Sequence, residues 1–134
     1  MKSDEQIFDE LAQATEGLLF MSESDYPFET FRLDGVGEEH PQERLRELGG
    51  EAEDAPVETK SLEQFFRASM SEPDWKNEEG RALARRFQNL VRVFKENLAD
   101  ARVYKVGSVN VAAYVVGRSA SGSWLGVSTR VVET

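Results

Sequence analysis

The sequence predicts an α+β fold, a three-layer α/β/α sandwich around a central, largely antiparallel sheet. Residues 103–107, 109–118 and 124–132 are rich in β-branched side chains. Ser119-Ala120-Ser121-Gly122-Ser123, between the last two, has the composition of a hairpin loop, with glycine available for a positive φ. Within residues 109–116 both parities are apolar: Val109, Val111, Ala113 and Val115 on one, Ala112, Tyr114 and Val116 on the other, with only Asn110 polar. A strand apolar on both parities is covered on both faces, so helices are expected on each side of the sheet.

Ser3 followed by Gln6 has the spacing of a capping box, and Ile7, Phe8, Leu11, Ala14 and Leu18 recur at helical intervals, so a helix is expected over residues 4–16, stopped by Gly17. Ser61 with Gln64 is a second capping box, opening a helix that carries Leu62, Phe65 and Phe66. The longest helical pattern covers residues 78–99, where Leu83, Phe87, Leu90, Val91, Phe94 and Leu98 form an apolar stripe opposite a solvated face of Arg81, Arg85, Asn89, Arg92 and Glu96. The stretch after Pro27 alternates as a short strand ended by Asp34-Gly35, and residues 57–60 suit an extended piece. An amphipathic patch at 41–48, closed by Gly49-Gly50, predicts a short surface helix. The glycines at 107, 117, 122 and 126 punctuate strands and turns.

With 134 residues, the chain is expected to form a single domain over residues 1–134, and 40% hydrophobic with 31% charged residues is a globular composition. Cysteine is absent, which removes disulfides and thiolate metal sites and leans to a cytoplasmic protein. The acidic start MKSDEQIFDE does not have the pattern of a signal peptide, and no apolar run approaches the ~20 residues of a membrane helix. The net charge of −9 is uneven: residues 1–80 carry 22 acidic and 7 basic side chains, residues 81–134 carry 3 and 9. That asymmetry serves solubility or a basic partner, and it disfavours direct nucleic-acid binding by the domain.

Enzyme chemistry is not indicated. The single histidine, His40, has no evident partner for general-base work, no Ser-His-Asp or Cys-His set can be assembled, and neither a GxxxxGK[ST] nor a GxGxxG phosphate loop occurs. No cofactor is expected. Three features are not accounted for by core packing. In "GLLFMSESDYPFE" the polar insert Ser22-Glu23-Ser24-Asp25 is clamped between apolar flanks, which suits either a binding loop or an ordinary turn. Pro73-Asp74-Trp75 puts a tryptophan among charges, either packed or serving as an interface anchor. The third is Thr134, two residues past the last predicted strand, where oxygen ligands would suit a hard divalent cation.

At these same residues the chain resembles the nuclease A inhibitor family. The resemblance rests on "ATEGLLFMSESDYPFE" at 14–29, "DAP" at 54–56, "FF" at 65–66, "DW" at 74–75, the long helix, "VYKVG" at 103–107 and "GVSTRVVET" at 126–134. It implies an α/β/α sandwich that inhibits a sugar-non-specific, metal-dependent DNA/RNA endonuclease of the ββα-metal class. By resemblance, Glu23 contacts basic substrate-binding residues of the nuclease, with Ser22, Ser24 and Asp25 shaping its loop. Trp75, beside Asp74, is an interface anchor, and Thr134 reaches the metal held by the nuclease. Partner binding without direct nucleic-acid or membrane contact, by a protein monomeric when free, is the expected mode. The alternative is an acidic protein-protein interaction module of the same fold that binds another basic partner.

Overall fold

The computed structural model describes residues 3–21, 25–33, 45, 56–72, 77–107 and 110–132. The elements in chain order are α1 (Asp4–Thr15), β1 (Leu19–Met21), β2 (Asp25–Pro27), β3 (Glu29–Leu33), β4 (Val57–Lys60), α2 (Leu62–Met70), α3 (Glu78–Asn97), β5 (Ala99–Val106), β6 (Asn110–Arg118) and β7 (Trp124–Val132). Five strands form one antiparallel sheet in the order β3-β7-β6-β5-β4, and β1 with β2 forms a separate two-stranded antiparallel ribbon.

Both capping boxes are present. Ser3 Oγ accepts from Gln6 N at 3.2 Å while Gln6 Oε1 accepts from Ser3 N at 2.9 Å, and Ser61 and Gln64 repeat the exchange at 3.1 and 3.0 Å. Each box satisfies two backbone donors that a helix start leaves open. Gly17, at φ 69°, turns the chain out of α1. The orphan carbonyls there are met from a distant helix: Arg86 Nη2 donates to Ala14 O at 3.2 Å and Glu16 O at 2.6 Å.

The two parities of β6 go to two cores. Val111, Ala113 and Val115 pack with Ile7, Leu11, Leu62, Phe66, Phe87, Leu90 and Phe94 of the helices, while Ala112, Tyr114 and Val116 pack with Leu33, Tyr104, Trp124 and Leu45. The predicted helix at 41–48 lies outside the described residues apart from Leu45, which is helical and fully buried. Leu45 thus belongs to the core on the second face of the sheet.

Three expectations need correction. The helix predicted to residue 99 ends at Asn97, because Leu98 is already extended at φ −129°, ψ 144°. The following strand, expected from residue 103, begins at Ala99, with a register shift between Ala99 and Arg102 and with Asp100 at φ 53°. Ala-Asp-Ala carries no β signature, and the irregularity explains why alternation is missing there. Gly117 and Gly126 lie inside β6 and β7, within the predicted strand bounds: a Cβ on Gly126 would stand 2.0 Å from the Val115 carbonyl oxygen, and one on Gly117 2.7 Å from Leu98 Cβ. These glycines permit close backbone approach. On the face of α3 expected to be solvated, Arg85, Arg92 and Glu96 are exposed, but Arg81 and Asn89 are half-buried.

Helix directions give the molecule two distinct ends. Asn97 Nδ2 reaches Glu10 Oε2 at 3.4 Å while Arg86 reaches Glu16, so α1 runs antiparallel to α3. Lys95 pairs with Glu63, and Gln88 Nε2 donates to Met70 O at 2.9 Å, so α2 is antiparallel to α3 as well. The C-terminal end of α3 leads into Ala99, which pairs with Arg118, the partner of Trp124. That end therefore lies where β7 begins. A helix of 20 residues spans roughly 30 Å and β7 of 9 residues about as much. The N-terminus of α3 accordingly lies towards the end where β7 finishes.

Candidate functional site

Of the residues singled out from sequence, Ser22, Glu23, Ser24, Asp74, Trp75 and Thr134 lie outside the described residues, and Asp25 is described in its backbone as the first residue of β2. The described residues that lead into and out of those segments form the site's frame.

β1 and β2 pair Leu19 with Pro27, Phe20 with Tyr26 and Met21 with Asp25, so the apolar flanks of the polar insert are the two strands of a hairpin. Sequence reading missed these strands, because three residues each are too few to show a period. Phe20 fixes the ribbon to the core: its ring stacks on Phe65 at 4.7 Å and meets Phe66, Phe28 and Phe87 edge-on at 6.1, 6.2 and 6.4 Å. Thr129 Oγ1 donates to Tyr26 O at 3.3 Å, tying β2 to β7. Since Glu29 pairs with Ser128 and the chain traced backwards to Tyr26 has moved on to Thr129, the Met21–Asp25 end of the ribbon points the way β7 runs.

The second frame is the junction of α2 and α3. Glu72, two residues past α2, is held through both carboxylate oxygens: Arg85 Nε donates to Oε1 at 3.2 Å and Gln88 Nε2 donates to Oε2 at 3.0 Å. The hydrogen bond from Gln88 and the charges of Arg85 and Arg81 hold the Glu72 carboxyl below its ordinary pKa, against a smaller opposing effect of desolvation. On the far side of residues 73–76, Asn77 caps α3, its Oδ1 accepting from Gly80 N at 2.8 Å. The third frame is β7 itself, paired with β6 to its last residue, Val132 opposite Asn110. Val131, buried next to it, belongs to the helix-side core.

Glu72, Arg85 and Gln88 were not legible as a unit, because Arg85 and Gln88 follow Glu72 by 13 and 16 residues and meet it only once α2 folds against α3. Among the described residues no group of three His, Asp or Glu is arranged to hold a metal ion. No described helix is long and apolar enough to cross a membrane. The described residues of the site are therefore frames for chain segments, and they bring together no set of catalytic groups.

Residues 5–134 match the family model described as nuclease A inhibitor-like protein. The chain belongs to the nuclease A inhibitor-like family. No curated protein matches it significantly. The nuclease A inhibitor-like family is one of inhibitors, not enzymes, and membership suggests a protein that binds and inhibits a nuclease. The match runs through all three segments framed above.

Proposed function

We propose that the chain inhibits a non-specific, metal-dependent DNA/RNA endonuclease of the ββα-metal class by occupying its active site. The observation that carries this reading is geometric: Met21 and Asp25, Glu72 and Asn77, and Val132 are the described ends of three segments, and helix and strand directions set all of them towards one end of the molecule. The segments they bound contain Glu23, Trp75 and Thr134. Segments rooted at one end can meet one partner together.

A nuclease that binds phosphodiester without sequence preference needs a basic groove and a metal open on one side. Glu23 would take the place of a phosphate charge in that groove, Trp75 with Asp74 would anchor the contact, and the oxygens of Thr134 would take a metal position meant for substrate or water. With 22 acidic against 7 basic side chains in residues 1–80, opposite charge would speed encounter. We also infer a single domain with the third layer built around Leu45, whose burial on the second sheet face supports it.

Titrating a purified endonuclease of this class with the chain should give stoichiometric inhibition, with association slowing as salt rises. Glu23→Ala, Trp75→Ala and deletion of residues 133–134 should each weaken binding by about 2 kcal/mol or more while leaving the melting temperature within a degree or two. Unaltered inhibition after the deletion would remove Thr134 from the mechanism. Retention of another basic protein, with no nuclease inhibited, would make the chain an acidic binding module instead.

A further inference from the structure

We infer that the pocket where β2, β3, β6 and β7 meet takes an arginine side chain of the nuclease, with Glu29 as its charge partner and Phe31 and Tyr114 as its aromatic wall. This role rests on the inhibition proposed above. Ser128 of β7 stands opposite Glu29 of β3 on one side and Tyr114 of β6 on the other, so the three side chains form one row across the second sheet face. Phe31 and Ala112 share that face. The next row along β7 is Arg130 opposite Ala112, and β3, which begins at Glu29, supplies no residue there. Small side chains at Ser128 and Ala112, among larger ones at Phe31, Tyr114 and Arg130, leave a pocket of about 560 Å³ that Tyr26 of β2 also lines. That is the size of a site for a small ligand or one long side chain.

The walls are set by contacts within the chain. The Phe31 and Tyr114 rings meet edge to face at 5.6 Å, and Thr129 Oγ1 holds the Tyr26 carbonyl at 3.3 Å. Glu29 is exposed and, among the described residues, its side chain makes no hydrogen bond or ion pair. Arg130 shares the pocket without pairing with it, because its Nη1 donates to Asn110 Oδ1 at 3.5 Å, towards the end of β7. A carboxylate without a cation, beside an aromatic wall, is matched by a guanidinium, which donates through two N–H groups and lies against a ring. An acidic occupant would be repelled by Glu29, and an apolar one would desolvate the carboxylate without supplying a donor. Position and charge give the source of the guanidinium. The pocket adjoins the roots of two segments of the proposed contact, β2 from Asp25 and β7 to Val132, and a nuclease that grips phosphodiester lines its groove with cations. Arg130 opposes the incoming charge from across the pocket, so the two charged walls have effects of opposite sign.

The test is the dissociation rate from a purified non-specific endonuclease that the wild-type chain inhibits. Glu29→Gln should speed dissociation about five- to tenfold and Phe31→Leu about threefold, whereas Arg130→Gln should slow it about twofold. The melting temperatures of the Glu29 and Arg130 variants should not change. Glu5→Gln removes the same charge from an exposed position on α1 and should leave dissociation unaltered, which separates a contact from a general loss of acidity. If deletion of residues 133–134 weakens inhibition but Glu29→Gln is silent, or Arg130→Gln speeds dissociation as well, the pocket lies outside the contact and the active-site reading stands. If Glu5→Gln matches Glu29→Gln, net charge and not a pocket is at work, and the assignment is wrong. If the chain inhibits no such endonuclease, the active-site reading falls and the role of the pocket falls with it.

Discussion

At the end of the sheet where β7 begins, the chain closes on itself. Ser119 N donates to Ser123 O at 2.8 Å, Gly122 turns the loop at φ 93°, and Ser121 Oγ donates to Asp4 Oδ2 at 2.6 Å, joining residues 117 positions apart. Arg32 Nη2 adds a contact to the same carboxylate at 3.7 Å. At the end where β7 finishes, the described contacts hold the roots of three segments: Phe20 for one, Glu72 and Asn77 for the second, Val131 for the third. Side-chain hydrogen bonds at the first end are directed at another part of the same loop or the neighbouring helix start. Those described at the second join Thr129 to Tyr26, Arg85 and Gln88 to Glu72, and Asn77 to Gly80. On the proposed function, the second end is the one that would meet the nuclease.

The sharpest way to break this contrast is to strike the frame common to both ends. Gly126→Val would drive a side chain into the Val115 carbonyl, which lies 2.0 Å from the position of a Cβ. A loss of about 4 kcal/mol or more is expected, with both ends failing together in a urea titration followed by fluorescence and by inhibition. A variant that stayed folded but lost inhibition would show that the two ends are less coupled than the sheet implies.

Asp4→Asn acts at the closed end alone. The hydroxyl of Ser121 first, then Ser119, Arg32 and Ser123, hold the Asp4 carboxyl below its ordinary pKa, against desolvation. A lowered folded-state value contributes stability that is fully present above the unfolded value of about 3.9 and is lost as pH falls through the lower folded value. The substitution should cost about 1 kcal/mol at pH 7 and flatten that acid-side loss, measured by thermal melts from pH 7 to pH 2. Inhibition at neutral pH should not change. Arg92→Ala, which removes an exposed i,i+4 pair with Glu96 near the C-terminal end of α3, should shift stability by no more than about 0.5 kcal/mol and leave inhibition alone.

What could be read in advance depended on how local its cause was. Ser3 with Gln6 and Ser61 with Gln64 carry their own geometry, since each partner is three residues from the other, and both helix starts followed. The two-sided burial of Val111 to Val116 was legible because the alternation is complete within one strand. The close approach at Gly126 was not legible because its neighbour in space, Val115, becomes a neighbour only through the β6–β7 register. Arg86 gave no sign of meeting the end of α1, 70 residues earlier, because helix packing alone decides that contact. At the candidate site, Glu23, Trp75 and Thr134 came from family resemblance, and the match over residues 5–134 supports the resemblance. The contacts of Phe20, Glu72 and Gln88 at the described roots of these segments became visible with the fold. A charged glutamate at a helix exit has no distinctive spacing, and its donors lie on another helix.

The place of β7 in the sheet has a consequence for how the protein is made. β7 lies between β3 and β6, and in the described sheet β3 has no other neighbour. A strand synthesised near the start must therefore remain unpaired until one about ninety residues later has emerged to complete the sheet. Pairing at such separation slows folding and leaves an open strand edge in the meantime. During that interval β3 has no partner within the described sheet, and the sheet is complete only after translation has run through β7.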